Sequence, residues 1–583
     1  MVYLPRQASG DSAFLVLREL FVLFALVALV VLTIVLLRRA LGASVATQRA
    51  VEERDALARL DITDAERAAW VAALQRADPG FRLADFLGRV QALFVSTQEA
   101  WSAGNLVPVR RFLSDATWLR FRVQLGLLRA QGIRNVTAEM AVTGLELVGL
   151  EQNAWFDTLH VLVRARARDA DLPLDLPEPA ARAAAARAPA EAFTEVWSLV
   201  RKPGVRSASG VALDARVCPS CGAPFDGGAA SSCPYCKAVV NSGAYDWVLA
   251  EITQTVEVAR ADAPVPGLTA LRERDPGLSL EVLEDRASLV FWRWVEAQST
   301  GEPDRLARLA QPGAVERLRA DAQRLSAQGA RRLFLECAVG EVRVRAFEDT
   351  ADGRTLAHVE IRWSARTGVG PVDQTPPELP VLPQRWVFTL ARAHGAASRV
   401  DQGMSTDRCP QCGGPLGDAL APTCEWCATL LTGDLRDWTL AEAGPVESWE
   451  GRVARSHAEA SLAPPPASFP DVEERERLLY TMAAIAMADG EVDRSERRLL
   501  LQCAERWGLP ATQVDVALAS DLSALESLLP DTHASEPFLR TLAQLARVDG
   551  KVDAAERRML ESVAGRLGLS QRLPAVLSSV GAS

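Results

Sequence analysis

Histidine and lysine are scarce in this 583-residue chain, and the common catalytic motifs are missing. There are five histidines and only three lysines, and the histidines are scattered along the sequence. We find no G-x-S-x-G nucleophile motif, no glycine-rich phosphate-binding loop and no H-E-x-x-H zinc-protease motif. We therefore predict that the protein is not an enzyme. A hydrolase would need a cleft with a converging nucleophile and base that these motifs do not reveal.

The chain also lacks an excess of positive charge. Its formal net charge is −10 and it has no basic tail, whereas binding to phosphate backbones needs clustered Lys and Arg. Nucleic acid is therefore disfavoured as a partner. A hydrophobic content of 49% and a charged content of 24% are typical of folded protein. Abundant arginine with so little lysine suggests a bacterial origin.

Cysteine is used almost entirely in two quartets. Each quartet is C-x-x-C, eleven residues, then C-x-x-C, and two such knuckles can complete a tetrahedral four-thiolate zinc site. We predict two structural zinc ions, and free thiols at this spacing indicate a reducing compartment. Cys337 and Cys503 stand in apolar contexts and are predicted core residues. The predicted zinc ligands are Cys218, Cys221, Cys233, Cys236, Cys409, Cys412, Cys424 and Cys427.

The surroundings of the quartets bear on their role. A closed shell of four thiolates leaves no position for a substrate. The second quartet lies among more acidic than basic residues, which counts against nucleic acid, while Tyr235 or Trp426 could serve a protein-docking surface. The alternative is a ribosome- or nucleic-acid-associated membrane receptor that acts through its ribbons.

The N-terminal segment, residues 1–44, contains a predicted transmembrane helix at 14–37. Leu20 to Leu37 is apolar except for Thr33, which is long enough to cross a bilayer. Four arginines follow the span within residues 38–54 and two precede it, so the larger C-terminal part is predicted to lie in the cytoplasm. We expect a single-pass protein of the bacterial inner (cytoplasmic) membrane.

Much of the chain is an internal duplication. The turn Asp78-Pro79-Gly80 returns as Asp275-Pro276-Gly277 at an offset of 197. The first cysteine quartet returns as the second, and the stretch around Asp246-Trp247 returns around Asp437-Trp438, both at an offset of 191. Each copy reads as helices followed by at least three antiparallel strands and a ribbon. The predicted domains are a polar helical linker (45–77), a first α+β domain (78–204), a ribbon (214–240), a second α+β domain (275–395), a ribbon (405–432), a linker (443–470) and an all-α domain (471–583).

The first copy resembles the Tim44-like domain, the family of the mitochondrial inner-membrane translocase subunit and its bacterial relatives. The second copy departs from the pattern at Thr300-Gly301-Glu302-Pro303. The resemblance implies helices packed on a curved antiparallel sheet around an apolar pocket, and contact with membrane lipid or partner polypeptides without catalysis. The matching residues are Phe94, Ala100-Trp101-x-x-Gly104-Asn105-Leu106, Arg110-x-Phe112-Leu113, Arg129-x-Gln131-Gly132-x-x-Asn135 and Glu195 to Arg201.

The C-terminal domain has its own repeat, at an offset of 60. In each repeat a glycine can end one helix, an aspartate can cap the next and a glutamate three residues later can complete a capping box. The remaining carboxylates, Asp489 and Asp549, stand at helix C-termini, where the dipole disfavours them. They need a charge partner or a bound cation such as calcium. The candidate ligands are Asp489, Asp493, Glu496, Asp549, Asp553 and Glu556.

These acidic turns resemble the TerB family of tellurite-resistance-associated proteins, which carry two D-G-x-V-D-x-x-E turns in an all-helical domain. The resemblance covers about residues 473 to 570 and implies association with membrane-linked stress-response complexes. Taken together, the sequence predicts a membrane-anchored, cytoplasm-facing scaffold or adaptor that binds lipid or partner polypeptides, in membrane protein transport or envelope stress.

Overall fold

The computed structural model falls into two compact units, residues 1–444 and 445–583. It describes residues 62–207, 216–225, 231–254, 265–371, 381–399, 403–416, 421–433, 435–451, 472–487, 507–520 and 554–580, and shorter stretches at 57, 60, 213, 227, 492, 497, 500–501, 503–505, 539–540, 542–543 and 546. The predicted transmembrane helix at 14–37 lies outside these residues. Within the described part of the chain, no helix is both long and apolar enough to cross a membrane.

The first half of the larger unit places helices before a sheet. Its helices are α1 (Asp64–Ala77), α2 (Leu83–Ser102) and α3 (Asp115–Ala130), with a 3-10 turn at Val107–Phe112. The sheet has the order β1-β2-β3-β4 with antiparallel pairing. Its strands are β1 (Ile133–Gln152), β2 (Asp157–Pro173), β3 (Ala190–Arg201) and β4 (Val248–Gln254), with α4 (Glu178–Ala185) between β2 and β3.

The second half repeats this arrangement. Its helices are α5 (Leu268–Arg274), α6 (Leu280–Thr300) and α7 (Pro312–Ser326), with a 3-10 turn at Pro303–Leu306. Its sheet has the order β5-β6-β7-β8 and consists of β5 (Ala330–Asp349), β6 (Arg354–Pro371), β7 (Val381–Ala393) and β8 (Thr439–Pro445). The predicted α+β class, with two antiparallel sheets, is therefore confirmed.

The position of the ribbons differs from the predicted order. Each cysteine quartet lies between the third and fourth strands of its sheet, because β4 and β8 come from the Asp-Trp stretch that follows the quartet. The ribbon is thus an insertion into the sheet rather than an appendix to it. β4 pairs with β3 from Glu195 opposite Gln254 to Val200 opposite Val248.

Both sheets bend at equivalent bulges. Glu139 in β1 and Glu336 in β5, 197 residues apart, both adopt positive φ where the strand register shifts. An extra residue at a bulge bends the strand and increases its twist. Helices pack on a face of each sheet. Phe94 of α2 lies 5.3 Å from Trp197 of β3, and Phe291 of α6 lies 5.7 Å from Phe388 of β7 (ring centroids).

Residues 169–190 are rich in alanine and proline, a composition that predicts a flexible loop, but in the structure they are largely ordered. β2 continues to Pro173, and α4 buries Ala181 and Ala185 against Val136 of β1. Small side chains allow this helix to approach the sheet closely. The sequence gives little sign of it, because alanine carries no strong apolar periodicity.

The two halves share a core. Ala116, Leu119 and Val123 of α3 pack in one cluster with the aromatic residues of α6. Two outer amides of the edge strand β5 donate to side chains outside its sheet: Val342 N to Glu251 Oε1 (2.9 Å) and Val344 N to Glu284 Oε1 (3.0 Å). These two amides are therefore not available for pairing with another strand.

The second unit is helical in its described residues. It contains α8 (Val472–Ala486), α9 (Thr512–Ala519), α10 (Ala554–Arg566) and α11 (Leu573–Val580). Its core includes Met482, Ile485, Cys503, Trp507 and Leu560. Cys503 here and Cys337 in β5 are buried, as the sequence predicts.

Candidate functional site

The eight predicted zinc ligands form two tight clusters. In each cluster the four Sγ atoms lie within 4.8 Å of one another. Facing sulfurs are 3.7 Å apart in Cys218–Cys236 and 3.8 Å apart in Cys221–Cys233. In the second cluster Cys409–Cys427 and Cys412–Cys424 are 3.8 and 3.7 Å apart. Four thiolates at about 2.3 Å from a tetrahedral zinc stand about 3.8 Å apart, so both clusters fit zinc or a similar metal ion.

The local backbone explains how the knuckles form. Gly222 N donates to Cys218 O (2.9 Å) and Gly413 N donates to Cys409 O (2.8 Å), and both glycines adopt φ near +70°. At the second knuckle of each ribbon the left-handed position is taken by Lys237 and Ala428. Backbone amides also point at the thiolates, since Trp426 N lies 3.4 Å from Cys424 Sγ. Amides of this kind stabilise negative charge on sulfur.

The two ribbons contact each other. The hydroxyls of Ser231 and Ser405 are 2.5 Å apart, and Arg408 Nη2 donates to Ser232 Oγ (2.5 Å). Lys237 Nζ lies 5.5 Å from the centre of the Trp426 ring. Tyr235 and Trp426 are nevertheless 67% and 58% exposed, so large aromatic surface remains in contact with solvent at the ribbons.

A buried carboxylate, Asp115 at the start of α3, joins the first half to both ribbons. It accepts hydrogen bonds from Arg110 Nη2 (2.5 Å), Asn241 Nδ2 (3.0 Å) and the backbone amide of Asp407 (2.9 Å). Burial acts to raise the pKa of Asp115, but the charge and hydrogen bonds of Arg110 outweigh it and hold the pKa below its usual value. Asn241 follows the first quartet and Asp407 precedes the second, so this one side chain fixes both insertions.

Each half also contains the same buried polar centre. In the first half Arg201 Nη1 donates to Asp78 Oδ2 (3.0 Å), and the Ser207 hydroxyl donates to the same oxygen (2.6 Å). The Arg201 guanidinium stacks 4.5 Å from the Trp247 ring centre. Asp78 belongs to the Asp-Pro-Gly turn before α2. Arg201 precedes the ribbon insertion, and Trp247 follows it, directly before β4. The centre therefore connects the helices to the chain on both sides of the insertion.

The second half repeats these contacts. Arg392 Nη2 donates to Asp275 Oδ2 (2.8 Å), the Ser398 hydroxyl donates to it at 2.6 Å, and Arg392 stacks 4.4 Å from the Trp438 ring centre. Burial opposes ionisation of Asp78 and Asp275, but hydrogen bonds from serine and arginine hold the pKa of each below its usual value. The sequence does contain a signal for this centre, because its residues recur at the offsets of the duplication. Each residue taken alone is of a common type and does not indicate a buried ion pair.

Acidic side chains accumulate where the halves meet. Burial, followed by repulsion from Glu341, raises the pKa of Glu251 to about 8. Burial also raises the pKa of Asp285, a neighbour of Thr406, to about 7. No motif in the sequence predicts the burial of Glu251, because Glu251 and Glu341 come from different copies.

The predicted acidic turns are almost entirely outside the described residues. Asp489, Asp493, Glu496, Asp549 and Asp553 lie there, and Glu556 is a buried residue in the first turn of α10. Their role as cation ligands stays a prediction. His160 and His358 lie in the second strands of their sheets and share hydrogen bonds with Ser198 and Thr389.

Comparison with known proteins bears on the first half. No curated protein matches the chain. The Tim44-like domain family matches residues 67–210, a stretch that covers the first helices and the first three strands and ends before the first ribbon. Residues 67–210 are therefore identified as a Tim44-like domain.

Proposed function

We propose that this protein is a membrane-anchored, non-enzymatic scaffold or adaptor that binds lipid or partner polypeptides, in a role related to protein transport at a membrane. The observation that carries the proposal is the Tim44-like match over residues 67–210. Proteins of this family are associated with membranes and with other proteins, which is the kind of contact that a scaffold makes.

The contacts within the larger unit favour a rigid scaffold over a flexible linker between binding sites. Asp115 bonds to segments on both ribbons, and α3 packs in the same core as α6. Four-thiolate metal sites close long insertions without offering a reactive position. A body fixed in this way can hold two binding surfaces at a constant separation.

The exposed aromatic residues of the ribbons are the candidates for partner contact. Tyr235 and Trp426 are large side chains near the contact between the ribbons, and aromatic residues of this type dominate binding energy at interfaces. We propose that a partner polypeptide docks there.

The remaining parts of the proposal extend beyond the family match. The second half, with the same strand order, acts as a divergent Tim44-like domain. The C-terminal unit acts as a TerB-like domain that binds calcium or a similar ion through its acidic turns, or docks a partner. Residues 14–37 anchor the chain in the bacterial inner membrane with these domains in the cytoplasm.

Site-specific photo-crosslinking in native membranes tests the proposal. A photoreactive phenylalanine analogue replaces Trp426 in the full-length protein, and the adducts are identified as polypeptide or lipid by mass spectrometry. We expect discrete polypeptide adducts. The same analogue at Leu174, which is also exposed and lies on the first sheet's connection to α4, is the matched control.

Alanine variants complete the test. Trp426→Ala and Tyr235→Ala should reduce recovery of the crosslinked partner while leaving the metal content unchanged, because neither side chain is a ligand. Identical adduct patterns at Trp426 and Leu174, or none at either, would count against docking through the ribbons.

A further inference from the structure

A cavity of about 260 Å³ lies beside the polar centre of the second half. We propose that it binds an uncharged aromatic molecule of about two fused rings, which packs against Trp438. Neither Tyr235 nor Trp426 is among the described residues that line the cavity, so this proposal and the proposed docking through the ribbons can fail independently.

The first half has a much smaller cavity at the equivalent place. Every residue that lines it has a counterpart on the larger cavity, at an offset of 197 up to Arg89 and of 191 from Arg201 onwards. The space that remains there is only about 20 Å³. The shared fold and the shared polar centre therefore do not create the larger cavity, and the residues that differ between the copies do.

Four of these counterpart positions differ between the halves. Three of the differences make the side chain of the second half smaller, and three of them replace a charged side chain with a neutral one. The four pairs, first half before second, are Arg82 and Ser279, Asp85 and Val282, Phe86 and Leu283, and Arg206 and Ala397. At these positions the cavity of the second half is both wider and less polar.

The first half shows what can pack against the shared tryptophan. Phe86 lies 5.1 Å from Trp247 between ring centroids, with the two rings tilted by 60°. In the second half Leu283 brings no ring to Trp438. Phe347 approaches Trp438 at 6.2 Å but is not among the described residues that line the cavity, so the space beside Leu283 stays open. An aromatic ligand would make against Trp438 the contact that Phe86 makes against Trp247.

The first half supplies another wall of the cavity. The turn between β1 and β2 contributes Trp155 and Phe156. The guanidinium of Arg272 lies 4.6 Å from the centre of the Trp155 ring and holds it in place, and Val282 packs against the buried cluster that contains Phe156. A molecule in this cavity therefore contacts aromatic side chains from both halves.

Two of the arginines on the cavity belong to ion pairs. Arg286 pairs with Asp437 at 3.3 Å, and Arg392 pairs with Asp275 at 2.8 Å. Both pairs have counterparts in the first half, so the fold accounts for them. These charges are balanced within the protein and do not require a charged ligand.

The other polar side chains of the lining are engaged as well. Arg436 donates to Gln411 Oε1, and Arg399 also has an interaction partner. The hydroxyls on the cavity bond to protein groups, and they belong to Ser279, Ser398, Ser405 and Thr406. An incoming charged group would have to displace these contacts or be buried without a partner, which is costly.

These features together favour an uncharged aromatic ligand of limited size. Mostly apolar walls with a few polar groups are the usual composition of a small-molecule site. An apolar cavity of roughly 150 Å³ is enough to hold benzene. The larger volume of about 260 Å³ therefore suits a molecule of about two fused rings.

Isothermal titration of the full-length protein in lipid nanodiscs tests the proposal, with empty nanodiscs as the blank for partition into lipid. The probe is 2-naphthol, which is uncharged at neutral pH, and we expect saturable binding of one naphthol per chain. 2-Naphthoate has the same rings but should bind at least tenfold more weakly, because its carboxylate would be buried without a partner. Equal binding of the two compounds, or no saturable binding of naphthol, would overturn the proposal.

A saturated analogue separates an aromatic site from one that is merely apolar. Decahydro-2-naphthol keeps the hydroxyl and the carbon skeleton but has no aromatic ring. We expect it to bind about fivefold more weakly than 2-naphthol, because pairing between aromatic rings adds to the effect of apolar burial. Equal or tighter binding of the saturated compound would contradict an aromatic ligand class.

Two variants locate the site. Trp155→Ala removes an aromatic wall and should weaken 2-naphthol about tenfold, and the half-buried position of Trp155 in a turn makes the change tolerable to the fold. Trp70→Ala is the matched control, because Trp70 is also half-buried but lies on α1 and is not among the described lining residues. It should leave the binding unchanged.

Leu283→Phe restores the residue of the first half and should also weaken 2-naphthol about tenfold, because the added ring occupies the space beside Trp438. If Trp155→Ala binds 2-naphthol as tightly as Trp70→Ala does, naphthol does not bind at this cavity. The proposal then fails, whether or not Leu283→Phe folds.

Discussion

The two halves of the larger unit keep the same buried polar centre but differ in the space beside it. The same hydrogen bonds join Asp78, Arg201 and Ser207 in the first half and Asp275, Arg392 and Ser398 in the second. The neighbouring cavity is about 20 Å³ in one and about 260 Å³ in the other. What both copies retain is best explained by folding, and what only one copy has is where a separate function is to be sought.

A second difference lies at the sheet edges. Glu251 of β4 accepts a hydrogen bond from the edge strand of the other half, whereas its counterpart Glu442 in β8 is exposed. The same residue of the repeated Leu-Ala-Glu stretch therefore lies at the junction of the copies in the first half and is exposed in the second. Duplication supplied the residue, and the packing of one copy on the other gave it a contact.

Loss of a metal ligand should produce the largest effect, and the two halves should respond to it differently. Cys218→Ser and Cys409→Ser should each lower the metal content from two ions to one, since four-thiolate binding contributes roughly 10 kcal/mol to folding of a ribbon. Elemental analysis and hydrogen exchange measure this. Cys409→Ser should expose amides in both halves, because Arg286 donates to Thr406 O (2.5 Å) and Asp407 N donates to Asp115 in the other half.

Cys218→Ser should expose amides mainly in the first half, which holds the first ribbon through Arg111 Nη1 donating to Val217 O (3.0 Å). Cys337→Ala is the control, because this buried thiol belongs to neither cluster and both metal ions should remain. Two bound ions after Cys409→Ser would show that this thiolate is not a ligand.

The buried ion pairs should give the next largest effect, larger in the second half than in the first. Asp275→Ala leaves Arg392 buried without its carboxylate, which typically costs about 3–5 kcal/mol. Asp78→Ala should cost less, because Arg201 keeps a second buried carboxylate, Asp157, at 3.9 Å. Urea unfolding measures the change. Asp64→Ala removes the fully exposed partner of Arg67 and should leave the urea unfolding midpoint almost unchanged. A tenfold smaller effect for one of the buried aspartates would mean that its centre is dispensable.

The smallest effect should be the share of the pH dependence that Glu251 contributes. The pKa of Glu251 is raised to about 8 from an ordinary value of 4.5, so between these values the folded state holds a proton that the unfolded state has released. Stability therefore falls as pH rises through this window. Glu251→Gln, which needs no proton, should flatten the fall by about 1–2 kcal/mol between pH 6 and pH 8.

Thermal unfolding across this pH range provides the measurement, and Glu442→Gln is the matched control. Because Glu442 is exposed, its replacement should leave the pH profile as in the parent protein. Equal flattening by both variants would place the origin of the pH dependence elsewhere than at the contact between the halves.

Local patterns in the sequence were enough to predict most helices and strands and the eight cysteine ligands. The helical spacing of Phe94 and Trp101, the alternation in the strands and the two cysteine spacings each depend on residues close together in the chain. The helix α4 could not be predicted because its alanines give no strong apolar pattern. Ala181 and Ala185 become buried only when they pack against Val136 in the folded sheet.

The duplication, the α+β class and the two four-cysteine sites could be predicted from the sequence alone, because residue spacing and hydrophobic period indicate them. Tertiary structure decided that the ribbons interrupt their sheets, because strand pairing across an inserted segment leaves no local trace. It also decided which acid is buried at the contact between halves, and that replacing phenylalanine by leucine opens a cavity rather than letting the fold collapse. Such outcomes depend on the packing of distant segments, which neither period nor spacing encodes.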